Sequence, residues 1–189
     1  MESGVKFLTL YAFSSENWKR PAAEVNGLMF LLERFLNEKK DEMLREGVRL
    51  RAIGNLDQLP SRCLQKLDEV RTATAANTRL QVILALSYSG RSEIIDAVRS
   101  VARDAAAGLL TEGEITPELF SDRLSTAGIP DPDLLIRTSG EMRISNFLLW
   151  QLSYTEIHVT KKLWPDFGKA DFLEALSDYA GRQRRFGGV

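Results

Sequence analysis

The stretch LQVILALSYSGR, residues 80–91, joins an apolar strand pattern to a polar loop and the start of a helix. Its first seven residues are leucine-rich and β-branched, and neighbouring positions are apolar, which is typical of a strand buried on both faces. The loop SYSGR follows, and helical spacing begins at Arg91. The stretch therefore predicts a strand of a parallel sheet that leads directly into a helix.

Four other runs have the same strand-like character, and helical patterns lie between them. The strand-like runs are FLTLYAF (7–13), VRLRAI (48–53), DLLIRT (133–138) and TEIHVT (155–160). The helical patterns cover residues 22–46, 61–75, 91–107, 116–126 and 169–184. Strands that alternate with helices predict an α/β fold, a single domain over residues 1–189 with an open, mostly parallel sheet flanked by helices.

Composition excludes several functional classes. The chain has 25 basic and 26 acidic residues, so it lacks the basic excess that duplex nucleic-acid binders usually carry. Cys63 is the single cysteine, which excludes an intrachain disulfide. We find no secretory signal pattern and no apolar run long enough to span a bilayer, and therefore expect a cytoplasmic protein.

Several familiar catalytic patterns are missing from the sequence. It contains neither G-x-x-x-x-G-K-[ST] nor G-x-G-x-x-G, so nucleotide-binding folds of those types would lack their phosphate loop. A Ser-His-Asp triad would depend on the one histidine, His158, and the sequence has no G-x-S-x-G motif to supply the serine. The favoured interpretation of His158 is a half-buried strand residue. No zinc ligand set is present, whereas the carboxylates leave hard-cation chemistry open.

The stretch RTSGEMRISNFLLWQ, residues 137–151, has the composition of a phosphate receptor. It follows a predicted strand and presents Arg137, Arg143 and several hydroxyl groups, and an apolar helix-like stretch begins directly after it. Guanidinium groups bind phosphate oxygens in a planar fork, and a helix start adds free N–H groups. The alternative is an ordinary strand-to-helix loop with solvated arginines.

Polar segments follow three of the predicted strands. They are SSENWKRP (14–21), SYSGR (87–91) and RTSGEMRIS (137–145). In open parallel sheets, ligands bind outside the carboxyl ends of the strands. The topology therefore predicts that the three segments meet in one crevice.

Glu156 lies inside an otherwise strand-like run. A buried carboxylate needs a partner or a metal ion, and Mg²⁺ usually takes one or two protein carboxylates together with substrate phosphates. We therefore expect Glu156 to serve a magnesium–diphosphate site. The alternative is an edge-strand glutamate that faces water.

Long motifs in this sequence resemble those of the cis-prenyltransferases, in particular the undecaprenyl diphosphate synthases (isoprenyl transferases). The resemblance rests on LTLYAFSSENWKRP, DLLIRTSGEMRISNFLLWQLSYTEIHVT, LWPDF and the terminal RRFGG, in the family's order along nearly the whole chain. It implies a Mg²⁺-dependent, homodimeric transferase. Such an enzyme condenses isopentenyl diphosphate in cis with an allylic diphosphate, such as farnesyl diphosphate, into a long-chain polyprenyl diphosphate, a cell-wall lipid carrier. The product implies peripheral membrane contact.

The resemblance also implies roles for individual residues. The substrate-binding residues would be Ser14, Ser15, Glu16, Trp18, Arg20, Arg137, Arg143, Ile144 and Ser145. Asn17 matches the family's proton acceptor or part of its relay, and because a neutral amide is a poor base, we expect it to position a group that takes the proton. Glu156 would be a magnesium ligand. Helix 22–46 would line a hydrophobic product tunnel, and Arg185 and Gly187 would form an inter-subunit Arg-x-Gly element.

The sequence departs from the family at its start. The family opens with a strand that ends in an Asp-Gly-Asn-Gly-Arg-Trp-like loop, which carries a magnesium-binding aspartate, and this sequence has no such segment. We expect the family's first strand and helix to be missing here through a misassigned start, a gene fragment or a deliberate cut. The chain alone would then be poorly stable and weakly active or inactive. A non-catalytic partner subunit is the alternative function, although the intact SSENW, loop arginines and Glu156 disfavour it.

Overall fold

The computed structural model describes residues 4–182, and the chain divides into two compact units, Met1–Ile129 and Pro130–Val189. The first unit contains strands β1 (Phe7–Ser14), β2 (Val48–Ile53) and β3 (Leu80–Tyr88), and helices α1 (Ala22–Arg45), α2 (Ser61–Ala73), α3 (Gly90–Ala106) and α4 (Pro117–Ser121). The second contains β4 (Leu134–Arg137), β5 (Glu156–Val159) and α5 (Lys169–Gly181). Short 3-10 helices lie at Ser15–Lys19, Leu56–Gln58, Glu112–Glu114 and Trp164–Asp166.

The sheet of the first unit is parallel, with the strand order β1-β3-β2. Its central strand is β3, the strand from which the sequence analysis started, and every residue of β3 except the half-buried Gln81 is buried. A strand covered on both faces has no polar side to alternate with, which explains the continuous apolar run. All five predicted strands are present, and the α/β class with parallel strands and flanking helices is confirmed.

The core of the first unit lies between its sheet and the helices α1 and α2. Leu36, Leu67 and Val70 are fully buried on the helices, and Leu50 of β2 is 2% exposed. Burial of each such side chain contributes roughly 1.5–3 kcal/mol to stability. The same side chains that gave residues 22–46 their helical spacing, among them Met29 and Leu36, form the packed face of α1.

The second unit is built on the parallel pair β4–β5. Leu134 lies opposite Glu156, and Arg137 lies opposite Val159. This register places Arg137 at the carboxyl end of β4, where the chain enters the loop that the sequence singled out. Among the helices of residues 4–182, none is both long enough and apolar enough to cross a membrane.

The predicted helix over residues 116–126 is too long, because α4 ends at Ser121. In a continuous helix, the backbone N–H of Ser125 would donate to the carbonyl of Ser121. It donates instead to the carboxylate of Glu93 at 3.1 Å, and the hydroxyl of Ser125 bonds the same carboxylate. This side-chain acceptor replaces the helical one and ends the helix.

The prediction that a helix begins after the arginine-containing loop is wrong. Residues 145–154 form turns, closed by bonds such as Phe147 N to Ile144 O at 3.1 Å and Leu152 N to Leu148 O at 3.0 Å. Ser145, Asn146 and Leu148 have φ angles of 50°, 63° and 43°, which a right-handed helix does not accommodate. Any anion bound in this region is therefore held without a helix N-terminus.

Candidate functional site

The arginine loop, residues 137–145, is anchored to the segment that follows β5. The backbone N–H of Thr160 donates to Arg137 O at 2.9 Å, and Gly140 N donates to Thr160 O at 2.8 Å. Ser139 N adds a bond of 2.8 Å to Lys162 O. These bonds fix the first half of the loop, so the Arg137 side chain starts from a well-defined backbone position.

The backbone of the arginine loop and its continuation is strained. Ser139, Ser145, Asn146 and Leu148 all have positive φ angles, between 43° and 68°. Each non-glycine residue in this region costs on the order of 1–3 kcal/mol, and such residues cluster at ligand-binding sites. The concentration of strain directly after β4 favours a functional role for this loop.

The two arginines of the loop converge on one carboxylate oxygen. Arg137 Nη2 donates to Glu141 Oε2 at 3.0 Å, and Arg143 Nη2 forms an ion pair with the same oxygen. The hydrogen bond from Arg137, assisted by the charge of Arg143, lowers the pKa of the Glu141 carboxyl. Arg137 and Arg143 are therefore brought together, as the sequence predicted, and an anionic group sits between them.

Other members of the loop differ in their exposure. The Arg137 side chain is 29% exposed and that of Arg143 is 68% exposed, whereas Ile144 is half-buried and Ser145 is exposed. The Nε atom of Arg137 is buried and has no hydrogen-bond acceptor among the described residues. A buried donor of this kind is suited to an acceptor oxygen of a bound ligand.

The predicted meeting of the SSENW and SYSG segments is confirmed within the first unit. Trp18 Nε1 donates to Ser87 Oγ at 2.8 Å, and Ser87 Oγ donates to Gln58 Oε1 at 2.5 Å. The Trp18 ring also packs edge-to-face on Phe13, with ring centroids 4.8 Å apart. These contacts hold the indole at the carboxyl ends of the strands. The predicted meeting of these segments with the arginine loop stays a prediction.

Gly54 allows the end of β2 to approach the end of β3 closely. Its φ angle is 108°, and a Cβ at this position would overlap the carbonyl oxygen of Leu86 and lie 3.1 Å from Tyr88 Cα. The approach lets Asn55 N donate to Ser87 O at 3.2 Å. The glycine thereby helps to set the position of Ser87, which holds Trp18.

The other residues predicted in the SSENW segment make local contacts. Asn17 Oδ1 accepts a hydrogen bond from Ser14 N at 2.8 Å, and Ser15 Oγ donates to Glu16 Oε2 at 3.3 Å. Arg20 is exposed and forms an ion pair of 2.6 Å with Glu24 in α1. Asn17 thus shapes the turn after β1 with its amide oxygen.

Tyr11 was not singled out in the sequence, and its hydroxyl lies close to this segment. Burial raises the pKa of Tyr11 to about 12, and the negative charge of Glu16 contributes to the increase. The hydroxyl donates to Tyr88 O at 3.2 Å, and the two rings meet edge-to-face. Tyr11 therefore remains protonated at neutral pH and links β1 to β3.

Glu156 belongs to a network of four charged or polar side chains in the second unit. Arg182 Nη1 donates to Glu156 Oε2 at 2.7 Å, and Arg182 Nη2 donates to Asp178 Oδ2 at 2.6 Å. His158 Nδ1 lies 2.7 Å from the same Asp178 oxygen. Hydrogen bonds from Arg182 and His158 lower the pKa of Asp178. The partner that a half-buried Glu156 requires is therefore Arg182, which the sequence analysis did not identify.

A family model described as "Putative undecaprenyl diphosphate synthase" matches residues 1–187 of the chain. The chain belongs to this family. Relatives of this chain include an isoprenyl transferase of Heliobacterium mobile. The two are 53% identical, over 98% of this chain and 71% of the relative. Another isoprenyl transferase, from Thermotoga maritima, is 48% identical over 100% of the chain and 80% of the relative. The chain is therefore a prenyltransferase, the activity class that the resemblance implied.

Solved structures agree with the family assignment of the prenyltransferase. Lavandulyl diphosphate synthase from Lavandula x intermedia, determined in complex with dimethylallyl diphosphate, superimposes with a TM-score of 0.95. It is 40% identical, and the match covers 98% of this chain and 80% of the plant chain. A probable undecaprenyl diphosphate synthase from Campylobacter jejuni gives a TM-score of 0.84 at 38% identity, over 97% of this chain and 84% of that one.

The predicted site also includes a metal ion and an inter-subunit element. Among residues 4–182, no group of three or more His, Cys, Asp or Glu side chains is arranged to hold a metal ion. A single carboxylate such as Glu156 nevertheless meets the minimum for Mg²⁺, which takes its remaining oxygens from phosphates and water. Arg185 and Gly187, predicted to reach a neighbouring subunit, lie outside the described residues.

Proposed function

We propose that this prenyltransferase condenses isopentenyl diphosphate in cis with an allylic diphosphate, farnesyl diphosphate in the first instance, to form a long-chain polyprenyl diphosphate. The observation that carries the proposal is the convergence of Arg137 and Arg143 on one anionic group. Two guanidinium groups that share one acceptor are suited to the several oxygens of a diphosphate. Ile144 and Ser145 continue the same loop and complete the proposed isopentenyl diphosphate site.

The chemistry explains why fixed cations are needed. During the reaction, the bond between C1 of the allylic substrate and its diphosphate oxygen breaks, and the alkene of isopentenyl diphosphate forms a new carbon–carbon bond to C1. A proton then leaves the adjacent carbon. Positive groups close to the diphosphates stabilise the charge that develops as the bond breaks. Arg137, whose backbone is anchored at the end of β4, supplies such charge from a fixed backbone position.

We propose that the segment from Ser14 to Arg20 contacts the substrates, with Trp18 as its fixed element. Its indole is held by Ser87 and by the Phe13 ring, so it can offer a rigid apolar wall to a prenyl chain. Asn17 uses its amide oxygen to close the turn after β1. This favours a positioning role for Asn17 over that of a base, as does the low basicity of an amide.

We propose Mg²⁺ as the cofactor and Glu156 as its protein ligand. When bound, the ion neutralises negative charge on diphosphate oxygens. In the structure, Arg182 supplies the positive charge beside Glu156 and also forms an ion pair with Asp178. Arg182 can therefore turn to Asp178 alone when Glu156 binds a cation.

Substitution of Glu156 by glutamine should weaken divalent-metal binding by on the order of 10- to 100-fold, since it removes the charge of the proposed ligand. The measurement is a titration with Mn²⁺ in the presence of isopentenyl diphosphate, followed by electron paramagnetic resonance. Glu46→Gln is the matched control, because Glu46 is also paired with an arginine, Arg79, but is not a proposed ligand, and this variant should leave the Mn²⁺ affinity unchanged. Equal Mn²⁺ affinity of Glu156→Gln and the unsubstituted chain would contradict the assignment.

Three further properties are proposed from the family resemblance. The chain forms a homodimer in which Arg185 and Gly187 reach the neighbouring subunit. Its cytoplasmic location includes peripheral contact with a membrane through the product. Helix α1 contributes to a hydrophobic product tunnel, and the exposed Phe30 and Leu31 show that α1 carries apolar side chains outside its core-facing stripe.

The test of the proposed function is transfer of radiolabelled isopentenyl diphosphate to farnesyl diphosphate in the presence of Mg²⁺. The protein is used in excess over the allylic substrate, so that product can be detected even if the condensation is slow. The same assay therefore tests the expected weak activity. Dimethylallyl diphosphate is a second starter to compare, because the Lavandula relative was solved with it. We expect labelled products longer than the starter. Absence of any extended product with excess protein would contradict the proposal.

A further inference from the structure

The arginine loop contains an anion of its own. Glu141 lies between Arg137 and Arg143 in the sequence, and its Oε2 atom accepts from both guanidinium groups. Two arginines on one oxygen are also the arrangement with which such a pair would hold a phosphate oxygen. The carboxylate oxygen of Glu141 thus lies where the two arginines could hold a phosphate oxygen.

We propose that Glu141 is an internal counter-ion that an incoming diphosphate must displace, and that it thereby lowers the affinity of the arginine loop for every anion. This inference rests on the proposed function, because it takes the arginine loop as the isopentenyl diphosphate site. The role differs from that of a ligand-binding residue, since Glu141 would oppose binding.

The position of Glu141 allows it to leave. The backbone anchors of the loop lie at Arg137, Ser139 and Gly140, whereas the next residue after Glu141, Met142, is 90% exposed. The Glu141 side chain is itself 33% exposed. The carboxylate can therefore swing into solvent while the backbone bonds that fix Arg137 remain in place.

The ion pairs with Glu141 leave one positive charge and one hydrogen-bond donor of the arginine loop uncompensated. Glu141 brings one negative charge against the two positive charges of Arg137 and Arg143, and Arg137 Nε remains buried without an acceptor among the described residues. A diphosphate carries more than one charge and several acceptor oxygens, so it can replace Glu141 and satisfy more donors. An anion with one charge has no such advantage. Glu141, as the internal counter-ion, would therefore prevent singly charged anions from occupying the arginine loop at ordinary concentrations.

Calorimetric titration of the full chain with isopentenyl diphosphate, and separately with inorganic diphosphate, tests the inference. Removal of the competing charge in Glu141→Gln should tighten binding of both ligands by about tenfold, as expected for loss of a partly exposed, two-arginine ion pair. Glu141→Ala should also tighten binding. The matched control is Glu38→Gln, which removes another i,i+4 arginine–glutamate pair, with Arg34 on α1, and should change neither affinity.

The outcomes separate the inference from the proposed function. If the unsubstituted chain binds isopentenyl diphosphate and both Glu141 variants bind it equally or more weakly, the counter-ion role is overturned and the proposed function stands. Weaker binding in Glu141→Ala but not in Glu141→Gln would assign Glu141 a positioning role and also overturn the inference. If neither the chain nor its variants bind either ligand, both proposals fail. Far-ultraviolet circular dichroism establishes that each variant is folded.

Discussion

Substitution of Arg137 by alanine should weaken the binding of isopentenyl diphosphate by roughly 100- to 1000-fold. Arg137 is the more buried of the two loop arginines, and it is anchored at the end of β4 through its backbone bond with Thr160. Loss of a half-buried guanidinium from a charged hydrogen-bonded pair costs about 3–4 kcal/mol, which corresponds to this change in Kd. The measurement is calorimetric titration with isopentenyl diphosphate.

Two further variants make the Arg137 result specific. Arg137→Lys retains the positive charge but loses the planar guanidinium group. Its affinity for isopentenyl diphosphate should lie between those of the unsubstituted chain and Arg137→Ala. Arg123→Ala is the control, because the Arg123 side chain, which is 35% exposed, also forms an ion pair, with Asp104 of α3. It should bind isopentenyl diphosphate as the unsubstituted chain does. Similar losses in Arg137→Ala and Arg123→Ala would show that the effect is structural.

Substitution of Gly54 by alanine should lower the free energy of unfolding by about 3 kcal/mol or more. The residue has a φ angle of 108°, and the new methyl group would overlap the carbonyl of Leu86 in the central strand. The obstacle is backbone and not the end of a flexible side chain, so β2 and β3 would have to separate. A strained backbone position and steric overlap belong to the mechanisms behind large mutational effects.

The control for Gly54 is a glycine whose surroundings are open. Gly27 lies within α1, and a Cβ added there would meet no atom within 4 Å. Gly27→Ala should raise stability by about 0.5–1 kcal/mol, because alanine has the higher helix propensity. Urea unfolding followed by circular dichroism compares the two variants. An unfolding midpoint for Gly54→Ala equal to that of the unsubstituted chain would refute the close-approach explanation.

The elements with regular periodicity could be predicted from the sequence. β3 could be recognised because both of its faces are buried and its apolar run is uninterrupted. α1 could be recognised because its buried residues, such as Met29 and Leu36, recur with helical spacing. Both signals are local, so no knowledge of distant contacts was needed.

The errors arose where a distant group or an unusual backbone conformation decides the structure. α4 stops early because Glu93, about thirty residues away in the sequence, bonds to Ser125. The turns that follow the arginine loop depend on positive φ angles at Ser145 and Asn146. The apolar spacing of the following residues does not indicate such angles, and it led to the prediction of a helix.

The candidate site could be predicted in its residue types but not in its pairings. Arg137, Arg143 and Glu156 were identified from their motifs, whereas Glu141 and Arg182 were missed as their partners. Glu141 was visible as the acidic residue between two arginines, and Asp178 and Arg182 have the i,i+4 spacing of a helical ion pair. The contact of Arg182 with Glu156 crosses from the end of α5 to β5, which no local pattern indicates.

In the structure, each proposed binding group is paired with an internal group of opposite charge. The arginines proposed to hold a diphosphate are held by Glu141, and the glutamate proposed to hold Mg²⁺ is held by Arg182. Each proposed ligand would replace an internal group of the same charge sign. Diphosphate binding at the arginine loop and Mg²⁺ binding at Glu156 would therefore each replace one ion pair by another. The half-buried charges of the protein would stay compensated throughout.

The central claim is that the arginine loop binds the diphosphate of isopentenyl diphosphate, and arginine side-chain NMR tests it directly. Arg137 Nε is buried and has no acceptor among the described residues, so its ¹H–¹⁵N signal, assigned through Arg137→Lys, should report a new hydrogen bond. We expect this signal to shift and saturate at one ligand per chain, while the Nε signal of Arg123 stays in place. An Arg137 signal that does not move when calorimetry shows the protein to be saturated would contradict the claim.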